Sequence, residues 1–144
     1  KTTRLAGMAC NLVAQGKQVV FVMSNAGLVK EWSHRHPVLT VILDGQEPPA
    51  EIDPDQAVWF YDEFDWLKST VIREGAYYAT TAAHLRVAGA IPARDDVLMQ
   101  LLKVNGYRHE RHLLPDFLRD LVHDHRVIMP PAEFRRSMLG EFQS

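Results

Sequence analysis

Apolar residues at Leu5, Met8, Ala9, Leu12 and Val13 return every three or four positions, which predicts a helix over residues 2–15. Gly16 stands where such a helix would be capped. From Lys17 to Met23 a short β-branched run replaces the helical period and reads as a buried strand. Ser24-Asn25-Ala26-Gly27 breaks it. A short helix is expected over 28–33, stopped ahead of Pro37 because the residue before a proline avoids the helical region. Val38 to Leu43 reads as a second strand ended by Asp44-Gly45, and 46–56 as a polar, proline-containing loop.

Further strands are expected at 57–61 and 76–81, with 64–72 read as one or two helical turns. Residues 84–94 read as a loop. Asp95-Asp96 would cap a helix over Val97–Val104 that stops at Asn105-Gly106. Another helix is expected over 115–125, with Phe117, Leu118, Leu121 and Val122 on one face. A fifth strand is expected at 126–129, closed by Pro130-Pro131, and a short helix after it. Strands alternating with helices give the fold class: α/β, with a mostly parallel sheet flanked by helices. No repeat or low-complexity segment interrupts the pattern.

Composition bounds the function. The 144 residues fit one domain, and a hydrophobic share of 47% can build a core. A formal net charge of −2 argues against a strongly basic nucleic-acid module but leaves room for a local basic groove. Cys10 is the single cysteine, so no internal disulfide can form, and a reducing compartment is its simplest home. No apolar run approaches the roughly 20 residues of a spanning helix, and Asn11 interrupts any secretory signal. The expectation is a soluble, cytoplasmic protein with no membrane partner.

Three short stretches carry candidate chemistry. Lys1-Thr2-Thr3 opens a helix, whose first turn offers unpaired N–H groups and a positive dipole end to phosphate. Lys1 would supply a movable cation and Thr2 a hydroxyl for Mg²⁺. Asp62-Glu63 closes an apolar strand, where a carboxylate at the C-terminal end of a parallel strand faces the ligand crevice. Asp62 would hold Mg²⁺ as a hard oxygen ligand, and Glu63 would polarise the attacking water. Thr80-Thr81 ends the next strand with polar groups.

In this order the stretches resemble the P-loop NTPases of the additional-strand, catalytic-glutamate division, and most of all the DExx-box helicase motor domains. Val19 to Trp32 resembles the segment that follows the phosphate-loop helix and contacts a nucleic-acid strand. Asp62-Glu63-Phe64-Asp65 resembles the DExx box, and Ala79-Thr80-Thr81-Ala82 the Ser-Ala-Thr type motif. The resemblance covers residues 1–86, and residues 87–144 remain unassigned. It implies a single P-loop NTPase-like domain that binds and hydrolyses ATP with Mg²⁺ and acts on DNA or RNA, helicase-like or packaging-like. Lys1, Thr2 and Thr3 would hold the nucleotide, Thr2 and Asp62 the metal, and Glu63 and Thr81 would act at the γ-phosphate. The family's glycine-rich loop and central strand precede its lysine and are not in this sequence, so the chain is read as a fragment. The interval from Trp32 to Asp62 is short for a helicase, and no second motor domain is present. A nucleotide-dependent regulatory switch and a non-enzymatic α/β interaction domain stay open as alternatives.

Other clusters add less. His34/His36, His109/His112 and His123/His125 lack a cysteine pair to support zinc and read as surface residues. Arg86, Arg94, Arg108 and Arg111 follow the last of the candidate strands, where one could act as a finger in a homo-oligomer. Trp59, Trp66, Tyr77 and Tyr78 read as core or near-core, and as a base-stacking platform only if exposed beside basic residues.

Overall fold

The computed structural model describes residues 1–84, 86, 93–110 and 117–137. The chain forms two compact units, Lys1–Leu85 and Arg86–Ser144. Lys1-Thr2-Thr3, Asp62-Glu63 and Thr80-Thr81 all lie in the first, and the four candidate finger arginines in the second.

Unit 1 begins with α1 (Thr2–Ala14), followed by β1 (Val19–Met23), α2 (Ala26–Arg35), β2 (Thr40–Leu43), β3 (Val58–Asp62), a 3₁₀ turn at Phe64–Trp66, and β4 (Tyr77–Ala79). The fold is α/β, with a four-stranded, all-parallel sheet in the order β2-β1-β3-β4. α1 stops as its sequence directs. Gly16 takes φ +78°, its N–H reaches Val13 O, and Lys17 N–H reaches Leu12 O, so two end carbonyls are satisfied by a left-handed residue that glycine adopts without a Cβ clash. Asn25 caps α2, its side-chain oxygen accepting from Leu28 N–H at 2.9 Å.

Strand alternation sorts the sheet into two faces. Val19, Phe21 and Met23 of β1 join Phe60 of β3 in a core sealed by Leu5, Ala6 and Ala9 of α1 and Trp32 of α2. Rings run across this face: Phe21 stacks on Trp32 and on Phe60, and Phe60 on Tyr77. Asp62 shares the parity of Phe60, which carries it to the α1 side at the strand's C-terminal end. The other face holds Trp59, Tyr61 and Tyr78, stacked in a second ladder. Beside it lies a cavity of about 580 Å³ lined by Pro48, Pro49 and Arg73 among others. The loop after β3 is tied back to the end of β2, where Asp44 accepts from the amides of Lys68 (2.8 Å) and Ser69 (3.1 Å) and from the Ser69 hydroxyl.

Unit 2 contains α3 (Val97–Val104), α4 (Phe117–Ile128) and α5 (Pro131–Ser137). Asp96 caps α3 through Met99 N–H at 3.1 Å, and its carboxylate also takes both ends of a fork from Arg86, at 2.7 and 3.0 Å. The strand expected at 126–129 does not form. α4 runs on through Ile128, and Met129 N–H still bonds His125 O at 2.9 Å. Val127 and Ile128 are 77% and 75% exposed, so their β-branched character finds no sheet to join. A helix already nucleated extends one hydrogen bond per residue, which outweighs a short strand propensity. Residues 85 and 87–92 of the expected loop, Arg111, His112 and the side chains of Phe117, Leu118 and Leu121 lie outside the described residues.

Candidate functional site

The register of the two adjacent strands builds the site. Asp62, the last residue of β3, pairs with Ala79, the last of β4. Thr81 lies two residues beyond, and the N-terminus of α1 lies against the same ends. Thr2 Oγ1 donates to Asp62 Oδ2 at 2.9 Å. Lys1 Nζ sits 2.9 Å from Glu63 Oε1 and also donates to Thr81 Oγ1. Thr81 in turn donates to Glu63 twice, from its N–H at 2.6 Å and from its hydroxyl at 3.3 Å. Lys1, Thr2, Asp62, Glu63 and Thr81 therefore form one cluster of two hydrogen-bonded sets, Thr2 with Asp62 and Lys1 with Glu63 and Thr81, brought together because Lys1-Thr2 and Asp62-Glu63 are neighbours in the chain. Thr3 does not join it: it is exposed in the first turn of α1 and bonds none of the others.

The two carboxylates differ in environment. Asp62 is 5% exposed, and its second oxygen, Oδ1, is buried without a hydrogen-bond donor. Burial pushes its carboxyl above the usual carboxylate range; the Thr2 hydroxyl opposes this and the neighbouring Glu63 charge adds to it. An orphaned, buried carboxylate oxygen beside a hydroxyl is a donor set that fits a hard divalent cation. Among the described residues no group of three or more His, Cys, Asp or Glu could hold a metal. The fit is thus to a cation held by one carboxylate, one hydroxyl and oxygens from elsewhere, which suits Mg²⁺.

Glu63 is half-buried and tied on several sides. Burial raises its carboxyl, but the Thr81 N–H, the Lys1 ammonium and the Thr81 hydroxyl together bring it below its ordinary value, so it is ionised. Its backbone takes φ 52°, ψ 45°, a left-handed conformation that costs a non-glycine residue about 1–3 kcal/mol. That turn swings the carboxylate back toward Thr81 and away from the strand direction. α1 brings no side-chain cap and no acidic residue to its first turn, so the positive end of its dipole is open toward the same place.

Two further residues border the site: Asp65, the last of the acidic stretch, and Trp66, which the sequence placed in the core. Asp65 Oδ2 accepts from Ala83 N–H at 2.7 Å, and Trp66 Nε1 donates to Thr81 O at 2.9 Å. Trp66 is not core: it is 58% exposed and lines, with Ser24, Glu63 and Thr81, a hollow of about 490 Å³. The signal for Trp66 was its place three residues after a strand-ending acid, which a turn rather than a helix returns to the site. The 580 Å³ cavity is larger, but it holds none of the candidate residues, and the 490 Å³ hollow is where the chemistry converges. Of the segment 19–32, Val19–Met23 and Trp32 are buried, and Lys30, Glu31 and the turn Ser24-Asn25-Ala26-Gly27 at the C-terminal end of β1 are exposed.

Arg86 is committed to Asp96, and Arg108 donates to Asn105 O at 3.4 Å. His36 stacks on Trp32 and meets Cys10 Sγ at 3.8 Å, a packing role. No helix among the described residues is long and apolar enough to cross a membrane. No family model, curated protein or solved structure matches this chain.

Proposed function

We propose that unit 1 binds ATP with Mg²⁺ and hydrolyses it, as a motor domain of the P-loop type acting on DNA or RNA. The observation that carries this is the convergence of Lys1, Thr2, Asp62, Glu63 and Thr81 at the N-terminus of α1 and the C-terminal ends of β3 and β4. Lys1, now neutralised by Glu63, is the cation for the β- and γ-phosphates, and the open end of α1 adds its dipole. Asp62 and Thr2 would hold Mg²⁺, whose charge would offset that of the phosphate oxygens. Glu63 takes the proton of the attacking water as its oxygen bonds to the γ-phosphorus and the bond to ADP breaks. Thr81 holds Glu63 in place and faces the transferred group.

The sheet order supports the same reading. Among the described strands β4 is an edge, and Lys1 lies beside its C-terminal end. A strand and glycine-rich loop leading into Lys1 would fit against that edge. Support for nucleic acid comes from Ser24, which opens the exposed turn after β1, and from Trp66, which line one hollow with Glu63.

The test is calorimetric binding of Mg·ATP to the full-length protein and to its Lys1→Ala variant. The expected result is Mg²⁺-dependent binding that loses most of its affinity in the variant. Equal affinity removes the phosphate-loop assignment. A parent gene without a Gly-x-x-x-x-Gly ahead of Lys1, together with no ATP binding, leaves the non-enzymatic interaction domain in its place. Binding without hydrolysis, with or without nucleic acid, leaves the regulatory switch.

A further inference from the structure

The segment after β3 and the segment after β4 lie side by side beyond the last paired residues of the sheet, Asp62 and Ala79. No ladder bond therefore holds Thr81. Other bonds join the two segments: the Thr81 N–H and hydroxyl and the Thr80 hydroxyl (3.4 Å) to Glu63, Asp65 N–H to Thr80 Oγ1 at 3.3 Å, Ala83 N–H to Asp65, and Trp66 Nε1–H to Thr81 O. Thr81 is gripped on both of its backbone groups, its N–H by Glu63 and its C=O by the Trp66 indole. The two other tryptophans, Trp32 and Trp59, are each 7% exposed, whereas Trp66 gives up that burial to stand in the wall of the site. A large apolar ring at the surface, satisfied through its one polar atom by one carbonyl, fits a positional role better than a packing one.

We infer that Trp66 is a positioning residue for Glu63, acting through the Thr81 peptide. The indole, with the Thr80 hydroxyl at 2.8 Å, holds the Thr81 carbonyl in the peptide after residue 81, while Glu63 holds the N–H of the peptide before it; anchoring the carbonyl narrows the φ and ψ range at Thr81 and so the directions its N–H offers to the Glu63 carboxylate. Without the indole N–H the Thr81 carbonyl keeps only the Thr80 hydroxyl, so residue 81 is held less firmly, and Glu63 relies more on Lys1, the group that a phosphate would draw away, and on the long contacts of the Thr80 and Thr81 hydroxyls. The catalytic consequence rests on the reading of Glu63 as the base for water; the positional link itself does not.

The experiment therefore uses two readouts on the full chain. Trp66→Phe keeps a ring and removes the donor. In nucleotide-free protein, the Thr81 amide proton should move upfield and exchange roughly 10-fold faster, with the amides of Val20 and Phe60 unchanged. An unmoved Thr81 amide overturns the inference. Where Trp66→Phe perturbs Val20 and Phe60 as well, benzothienylalanine at position 66 replaces the N–H by sulfur at nearly equal size, and the same reading of Thr81 decides. In turnover, Trp66→Phe should lower kcat roughly 10- to 100-fold, the range of a misplaced catalytic group, with ATP affinity within about twofold. An unchanged kcat overturns the link to catalysis. A parent protein without ATPase activity overturns the proposed function instead, and the Thr81 amide still decides whether Trp66 positions Glu63.

Discussion

Thr2 Oγ1 lies 2.9 Å from Asp62 Oδ2, and the other oxygen of that carboxylate is buried with no donor at all. One helix terminus thus satisfies half of the carboxyl group and leaves the other half without a donor. A buried acceptor left this way costs about 1–3 kcal/mol, and more when it is charged. Asp62→Asn removes the charge at nearly constant volume. In the absence of Mg²⁺ the variant should be more stable than the parent by an amount of that order, measured by chemical denaturation. The parent should gain thermal stability with Mg·ATP and the variant should not. A parent that is more stable than Asp62→Asn without metal would count against the orphaned-oxygen argument.

Glu63→Gln keeps size and hydrogen bonding but cannot accept the proton of water. Turnover should fall by about 10²–10⁴-fold, the usual contribution of a general base, with ATP still bound. Phosphate release beside direct binding measures both. Parent-level hydrolysis in Glu63→Gln, with Asp65 essential instead, would shift the acidic pair by two positions.

The latch at Asp44 carries a pH dependence. Burial raises its carboxyl, but the Ser69 hydroxyl, the amides of Lys68 and Ser69 and the Lys68 charge outweigh it and lower it overall. A carboxyl lowered in the folded state stabilises above its unfolded pKa, near 3.9, and loses that contribution as pH falls through the folded value. Asp44→Asn should therefore destabilise unit 1 at pH 7, by about 1 kcal/mol or less given its exposure. The gap to the parent should close in urea titrations repeated toward pH 3. A gap that widens on acidification would contradict the latch.

Arg86 separates a structural role from a catalytic one. Its guanidinium and the Asp96 carboxylate are 12% and 8% exposed, and Asp96 also caps α3. Removing one partner of a buried pair typically costs about 3–5 kcal/mol. Arg86→Met should lower the denaturation midpoint of unit 2 by an amount of that order. A variant with unchanged stability and lost hydrolysis would return Arg86 to the role of a finger.

The chain made some of this legible before any coordinates. Asp62 stood out because a buried apolar run ending in an acid leaves that acid at the crevice, and β3 does end there. Gly16 and Asp96 announced helix ends because each end has unsatisfied backbone groups that only a few residue types can meet, whereas Asn25 was read only as part of a break, and its cap starts α2 at Ala26 rather than at Leu28. The strand order was not legible, since a run such as Val19–Met23 shows that it is buried but not which strand lies beside it. Glu63 gave no sign of its left-handed backbone, which depends on where Thr81 stands. Trp66 misled because an aromatic residue in an aromatic stretch is usually core, and a single 3₁₀ turn decided otherwise. Val127-Ile128 misled because a short β-branched run fits a strand and a helix alike.

Every pairing in the sheet is parallel, and none can grow from a hairpin. Val19 meets Val58 only after the chain has passed through α2, β2 and the proline-containing loop. That closure entropy must be met before the central pair returns any stabilisation, which places unit 1 among slow folders of high contact order. During synthesis β1 leaves the ribosome well ahead of β3. β2 can cover one edge of β1 once Thr40–Leu43 is made, but until Val58 follows the other edge of Val19–Met23, five apolar residues with neither a charge nor a proline, waits unpaired and open to any neighbouring chain.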